Sequence, residues 1–143
     1  MAFNILIVDD SRSMRSVIKK VISMSGFKVD QCFEAENGRE ALDLLSLQWV
    51  DIILSDINMP VMSGFEMLEA LRKDRLLESV PVVVISTEGR EERMRDAFEL
   101  GAKGFIKKPF LPEDIKRMLY EVIGVDDDGE YGDNERDDGD LDF

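Results

Sequence analysis

The sequence predicts an α/β domain, a doubly wound parallel sheet of five strands with a helix after each. Two patterns carry this expectation. Short apolar runs rich in β-branched residues mark strands buried on both faces, and between them apolar residues recur at helical spacing. The two patterns alternate five times between residues 3 and 123, which is the signature of repeated strand–helix units with right-handed crossovers.

Taken in order, Ile5-Leu6-Ile7-Val8 is the first strand. Met14, Val17, Ile18, Val21 and Ile22 then follow i, i+3, i+4, i+7, i+8 spacing and define the first helix, with Gly26 where its C-cap is expected. Lys28 to Phe33 mixes polar and apolar residues, as a sheet edge does, and contains Cys32, read as a small edge-strand residue. Ala41, Leu42 and Leu45 mark the second helix, Ile52-Ile53-Leu54 the third strand, and Phe65, Leu68 and Leu71 the third helix. Val82-Val83-Val84-Ile85 precedes a helix with Met94, Ala97 and Phe98, closed near Gly101. Phe105-Ile106 is a short last strand, and Ile115, Met118, Leu119, Val122 and Ile123 form a last helix ending at Gly124.

Composition narrows the chemistry. There is no histidine, so no imidazole base, nucleophile, phosphoryl carrier or metal ligand exists in the chain. A single cysteine excludes an internal disulfide and a cysteine-based zinc site. The formal charge of −13 disfavours nucleic acid and anionic membrane as partners. That charge is uneven: residues 125–143 hold 10 acidic residues against Arg136 alone, a net −9, which leaves −4 for residues 1–124. The expected organisation is therefore a globular body, 1–124, and an acidic, flexible tail, 125–143, whose composition cannot offset its ordering entropy. The tail reads as a solvated segment, or as one that lies against a basic face or recruits a basic partner. With no targeting pattern and no long apolar run, a cytoplasmic location is expected.

In open parallel sheets, ligands collect at the carboxyl ends of the strands. The first strand ends in Asp9-Asp10, and the third ends in Ser55-Asp56 followed by Ile57-Asn58-Met59-Pro60. The fourth is followed by Ser86, Thr87 and Glu88, and the fifth by Lys107-Lys108-Pro109-Phe110. Singly, each admits a structural explanation: Asp10 or Ser11 as a helix cap, Asp56 as a turn residue, Ser86-Thr87 as another cap, Lys108-Pro109 as a connector. Together they put three carboxylates, a hydroxyl and an amine at one end of one sheet. Converging carboxylates without nitrogen or sulfur ligands suit a hard cation such as Mg²⁺ rather than Zn²⁺. A carboxylate can also attack phosphorus, with a lysine and a hydroxyl holding the phosphoryl oxygens.

On Asp9-Asp10, the Ser-Asp-Ile-Asn-Met-Pro stretch around Asp56, Gly64, Ser86 and Lys108-Pro109-Phe110, the sequence resembles the receiver domain of bacterial two-component response regulators, the CheY-like family, over residues 3–123. The resemblance implies a flavodoxin-like sheet of order 2-1-3-4-5. It implies that Asp56 is the phospho-acceptor, that Asp10 binds Mg²⁺ directly and Asp9 through water, and that Asn58 offers the metal its backbone carbonyl. Ser86 is then the switch hydroxyl, Lys108 a phosphoryl ligand preceding a cis bond to Pro109, and Phe105 the aromatic switch position, with a plain core role as the alternative. Asn58 and Glu88 match the pair that tunes water access in chemotaxis-type members, which implies quick self-hydrolysis. Thr87 departs from the small residue usual there, and its bulk could slow phosphodonor entry.

With only 19 residues after Gly124, too few for an effector domain, the expectation is a stand-alone regulator that turns over no independent substrate. By the same resemblance its partners are a sensor histidine kinase or a histidine phosphotransfer domain and a downstream protein, with chemotaxis or motility as a pathway and a monomer or weak dimer as its state. The docking face would be the fourth helix, fifth strand and fifth helix, which carry Arg90, Arg93, Arg95, Lys103, Lys107, Lys116 and Arg117. A phosphorelay carrier is the alternative within the class. A Mg²⁺-dependent aspartate-nucleophile phosphohydrolase would need an Asp-x-Asp motif that neither Asp9-Asp10 nor Asp56-Ile57-Asn58 supplies. A flavin module would need a phosphate loop where Asp9-Asp10 would repel the phosphate.

Overall fold

In a computed structural model, which describes residues 2–87 and 89–124, strands and helices alternate. They are β1 (Phe3–Val8), α1 (Arg12–Ser25), β2 (Val29–Ala35), α2 (Gly38–Leu45), β3 (Ile52–Ser55), α3 (Gly64–Arg72), β4 (Val82–Ser86), α4 (Glu91–Glu99), β5 (Gly104–Lys107) and α5 (Pro112–Ile123). The strands form one sheet of order β2-β1-β3-β4-β5 with every pairing parallel. Glu88 and the acidic segment 125–143 lie outside the described residues.

The three central strands are buried almost throughout, which explains their unbroken apolar runs: both faces are covered, so alternation is lost. Successive side chains still point to opposite faces. Ile5, Ile7, Ile52, Leu54, Val83 and Ile85 join Ile18 and Ile22 of α1 and Ile115 and Leu119 of α5 in one core. Leu6, Val8, Ile53, Val82 and Val84 join Ala41 and Leu45 of α2, Met67, Leu68 and Leu71 of α3 and Ala97 of α4 in the other.

The entries of α1, α2 and α3 are capped by the residue types that the backbone requires. Ser11, Asn37 and Ser63 accept the amides of Met14, Glu40 and Glu66, satisfying donors that the first turn leaves free. α1 and α5 end on Gly26 and Gly124 in the left-handed conformation, at φ 85° and 90°. No helix among the described residues is long and apolar enough to cross a membrane.

Two details differ from the sequence expectation. The edge strand runs to Ala35 rather than Phe33, because Glu34 and Ala35 pair with Ile7 and Val8 although neither residue type favours strands. In α1, Val17 is half exposed whereas Arg15 is only 7% exposed. The buried stripe is therefore Arg15, Ile18 and Ile22, and an arginine occupies the end of it nearest the strand tips.

Register aligns those tips. Val8 pairs with Ser55, which pairs with Val84, and β4 runs two residues further to Ser86, which pairs with Lys107, so Asp9 and Asp56 emerge beside each other and Lys108 emerges beside the end of β4. The Asp56 amide donates to the Val8 carbonyl at 2.9 Å, and the Lys108 amide to the Ser86 carbonyl at 2.8 Å. Gly64 closes the loop after β3, its amide donating to Ile57 at 2.7 Å, and a Cβ there would collide with the carbonyl oxygen of Asp56. Gly64→Ala should therefore cost about 1–3 kcal/mol, the range for overpacking a rigid site. Urea denaturation measures this, and an unchanged midpoint would contradict the close approach.

Candidate functional site

Asp9, Asp10 and Asp56 converge at the carboxyl ends of β1 and β3, and one oxygen from each carboxylate lies within 4.8 Å of the others. Their surroundings differ. Asp9 is buried, at 2% exposure. Its Oδ1 accepts the Ser11 amide at 2.8 Å and its Oδ2 faces Lys108 Nζ at 3.3 Å. Asp10 is exposed, and its carboxylate takes no hydrogen bond from the described residues. Asp56 is half-buried, with Oδ1 accepting the Ile57 amide at 2.7 Å, and its Oδ2 takes none from the described residues.

Burial pushes the Asp56 carboxyl above its ordinary value. The Ile57 amide and Lys108 oppose that shift, while Asp9 and Asp10 add to it. Desolvation and like charge thus act together against ionisation. Lys108 supplies the positive charge at the site, and its pair with Asp9 is largely shielded from water, with side-chain exposures of 11% and 3%.

Ser86 ends β4 with 2% exposure, and Thr87 beside it is exposed. The Lys108-Pro109 bond is cis. Asn58 is exposed, and its side-chain oxygen accepts from Arg93 of α4 at 3.4 Å, whose guanidinium lies 4.6 Å from the Phe65 ring centroid. Phe105 is half-buried and packs on the core shared by α2, α3 and α4. An apolar groove of Met14, Val17, Val21, Thr87, Pro109 and Phe110 opens beside Lys108. Trp49 is exposed before the opposite end of β3 and donates to Asp51 at 3.0 Å.

Of the residues singled out in the sequence, the structure brings Asp9, Asp10, Asp56 and Lys108 together and sets Ser86 at the neighbouring strand end. Glu88 lies outside the described residues. Sequence reasoning missed Arg15, whose Nη1 donates to the Asp9 carbonyl at 2.7 Å and whose Nε donates to Glu34 at 2.8 Å. A charged residue three before Ile18 and seven before Ile22, on the apolar stripe, was the signal for it.

The donor set fits a hard divalent cation. It is all oxygen, carries three formal negative charges, and leaves Asp10 and one Asp56 oxygen unengaged.

The family model for the response regulator receiver domain matches residues 5–120. A chemotaxis protein CheY homolog of Campylobacter jejuni is 37% identical over 122 residues, covering 85% of this chain and 92% of that protein. The structure of the chemotaxis response regulator CheY4 of Vibrio cholerae superposes with a TM-score of 0.74 at 35% identity, over 85% of this chain and 99% of that one. The receiver domain of a sensor histidine kinase from Pseudomonas aeruginosa, solved with a magnesium ion in its active-site cleft, superposes with a TM-score of 0.76 over 87% of this chain and 99% of that one. Its 22% identity bears on the fold alone.

The raised Asp56 carboxyl has a consequence for stability. A carboxyl whose folded pKa lies above its unfolded value stabilises the fold below the unfolded pKa, and loses that contribution as pH rises through the folded pKa. In metal-free buffer, Asp56→Asn should therefore be more stable than wild type at pH 7, with the gain shrinking as pH falls into the carboxylate range. Thermal melts at both pH values with chelator present test this, and a neutral-pH loss of stability would contradict it.

Proposed function

Because the chain belongs to the response regulator receiver domain family, we propose that it takes a phosphoryl group from a histidine kinase or a histidine phosphotransfer protein onto Asp56, with Mg²⁺ held by the acidic cluster. One observation carries this reading. A half-buried carboxylate with one free oxygen faces two further carboxylates and a lysine within a single strand-end cluster.

The roles follow from the hydrogen bonds. The Ile57 amide fixes Asp56 Oδ1, which leaves Oδ2 to attack phosphorus as the bond from phosphorus to the donor's nitrogen breaks. Asp10, exposed and unengaged, is the direct cation ligand. Asp9, with Ser11 on one oxygen and Lys108 on the other, acts through water. Asn58 offers its backbone carbonyl from the loop after Asp56. Mg²⁺ supplies charge that offsets the repulsion between the carboxylates and the incoming phosphoryl oxygens.

Lys108 exchanges Asp9 for a phosphoryl oxygen, as a point charge on a flexible stem can. Ser86 donates its hydroxyl to another, and the movement draws the end of β4 inward. That shift biases Phe105 and the face of α4, β5 and α5, where a downstream protein docks. The groove beside Lys108 gives the phosphodonor an apolar surface. The chain is thereby a signalling switch of the chemotaxis type, whose only chemistry is its own phosphorylation and dephosphorylation.

Incubation with acetyl phosphate and Mg²⁺, followed by intact-mass analysis, should give one hydroxylamine-labile phosphoryl group on wild type. Chelator or Asp56→Asn should abolish it. Labelling of Asp56→Asn at the wild-type level would overturn the assignment.

A further inference from the structure

Arg15 is a buried cation, at 7% exposure, and every bond it makes with the described residues concerns the acidic cluster or the strand beside it. Its Nη1 donates to the Asp9 carbonyl at 2.7 Å, and its Nε donates to Glu34 Oε1 at 2.8 Å. Lys19, one turn further along α1, reaches the other Glu34 oxygen at 3.2 Å. The same peptide region is held from the sheet side, where the Asp9 amide donates to the Ala35 carbonyl at 3.1 Å. The Asp9 backbone is thus gripped between a helix and an edge strand, its carbonyl through Arg15 and Glu34 and its amide through Ala35, which adjoins Glu34 on β2.

We propose that Arg15 is a positioning residue for the cation site. Anchored by Glu34, it fixes the Asp9 carbonyl and so sets the direction in which the Asp9 and Asp10 carboxylates leave the chain toward Asp56. The proposal rests on the reading of Asp9, Asp10 and Asp56 as that site.

Simple electrostatics predicts the opposite effect on the cation. A guanidinium bonded to the backbone of an acidic cluster opposes a divalent ion, so its removal should tighten binding if charge alone matters. If Arg15 acts by geometry, its removal should weaken binding, because residues that orient metal ligands typically control affinity ten- to hundredfold. The planar guanidinium spans two acceptors at fixed angles. A lysine, with one nitrogen, keeps the charge but cannot reproduce that fork.

Isothermal calorimetry of Mg²⁺ binding to the full chain separates these cases. Arg15→Ala should bind Mg²⁺ about tenfold or more weakly, and Arg15→Lys should also bind more weakly than wild type. Glu34→Gln retains an acceptor for Arg15 and should change affinity less than Glu34→Ala. Glu34→Ala should add little on top of Arg15→Ala, since both break one clamp. Metal-free melting curves identify a variant that has simply lost its fold. There Arg15→Lys and Glu34→Ala, each removing half of the clamp, carry the test.

Unchanged or tighter Mg²⁺ binding in folded Arg15→Ala or Arg15→Lys overturns the proposal alone. Equal affinity of wild type and Asp10→Asn overturns the cation site, and this proposal with it.

Discussion

Three carboxylates with oxygens within 4.8 Å of one another repel by an amount on the order of 3 kcal/mol per pair at an effective dielectric of about 20, and by less where water screens Asp10. The rest of the site is organised around that repulsion. Asp9 is buried because Ser11, Lys108 and Arg15 engage its two carboxylate oxygens and its carbonyl. Asp56 stays half-buried with a raised carboxyl pKa, since one amide and a lysine offset its burial only in part. Asp10, which no described residue engages, remains at the surface. The three carboxylates are thus graded from fully engaged to free, and it is on this grading that the proposed division of roles among them rests.

The fold makes this cluster possible by register. β1 and β3 end level with each other, β4 runs two residues further to end level with β5, and the backbone bonds from Asp56 to Val8 and from Lys108 to Ser86 carry the ladder one residue past the strands. The chemistry-bearing residues therefore issue from a rigid ledge, buried on both faces, rather than from free loops. Gly64 lets α3 begin against the backbone of Asp56, and Ser11 caps α1 while its own amide holds Asp9. Elements that would be ordinary fold devices elsewhere here also fix the acids, which ties the stability of the domain to the geometry of its site.

Much of this was legible in the sequence, for physical reasons that can be named. Buried central strands write themselves as β-branched runs, and their ends locate Asp9, Asp10, Asp56, Ser86 and Lys108. The edge strand was less legible, since Glu34 and Ala35 extend it through pairing rather than propensity. Arg15 was missed because helical periodicity counts apolar residues, and Val17 fitted the count while lying half exposed. A buried charge is intelligible only once its partners are known, and those partners come from another strand and from a carbonyl, neither of which spacing reveals.

Under the proposed function, Lys108 holds Asp9 only until a phosphoryl group arrives at Asp56. A crystal structure of the protein with Mg²⁺ and beryllofluoride tests it most directly. The expected result is beryllium bonded to Asp56, the cation between Asp10 and Asp56, and Lys108 Nζ moved from Asp9 to a fluoride. Beryllofluoride bound away from Asp56, or Lys108 still paired with Asp9 beside an occupied Asp56, would contradict it.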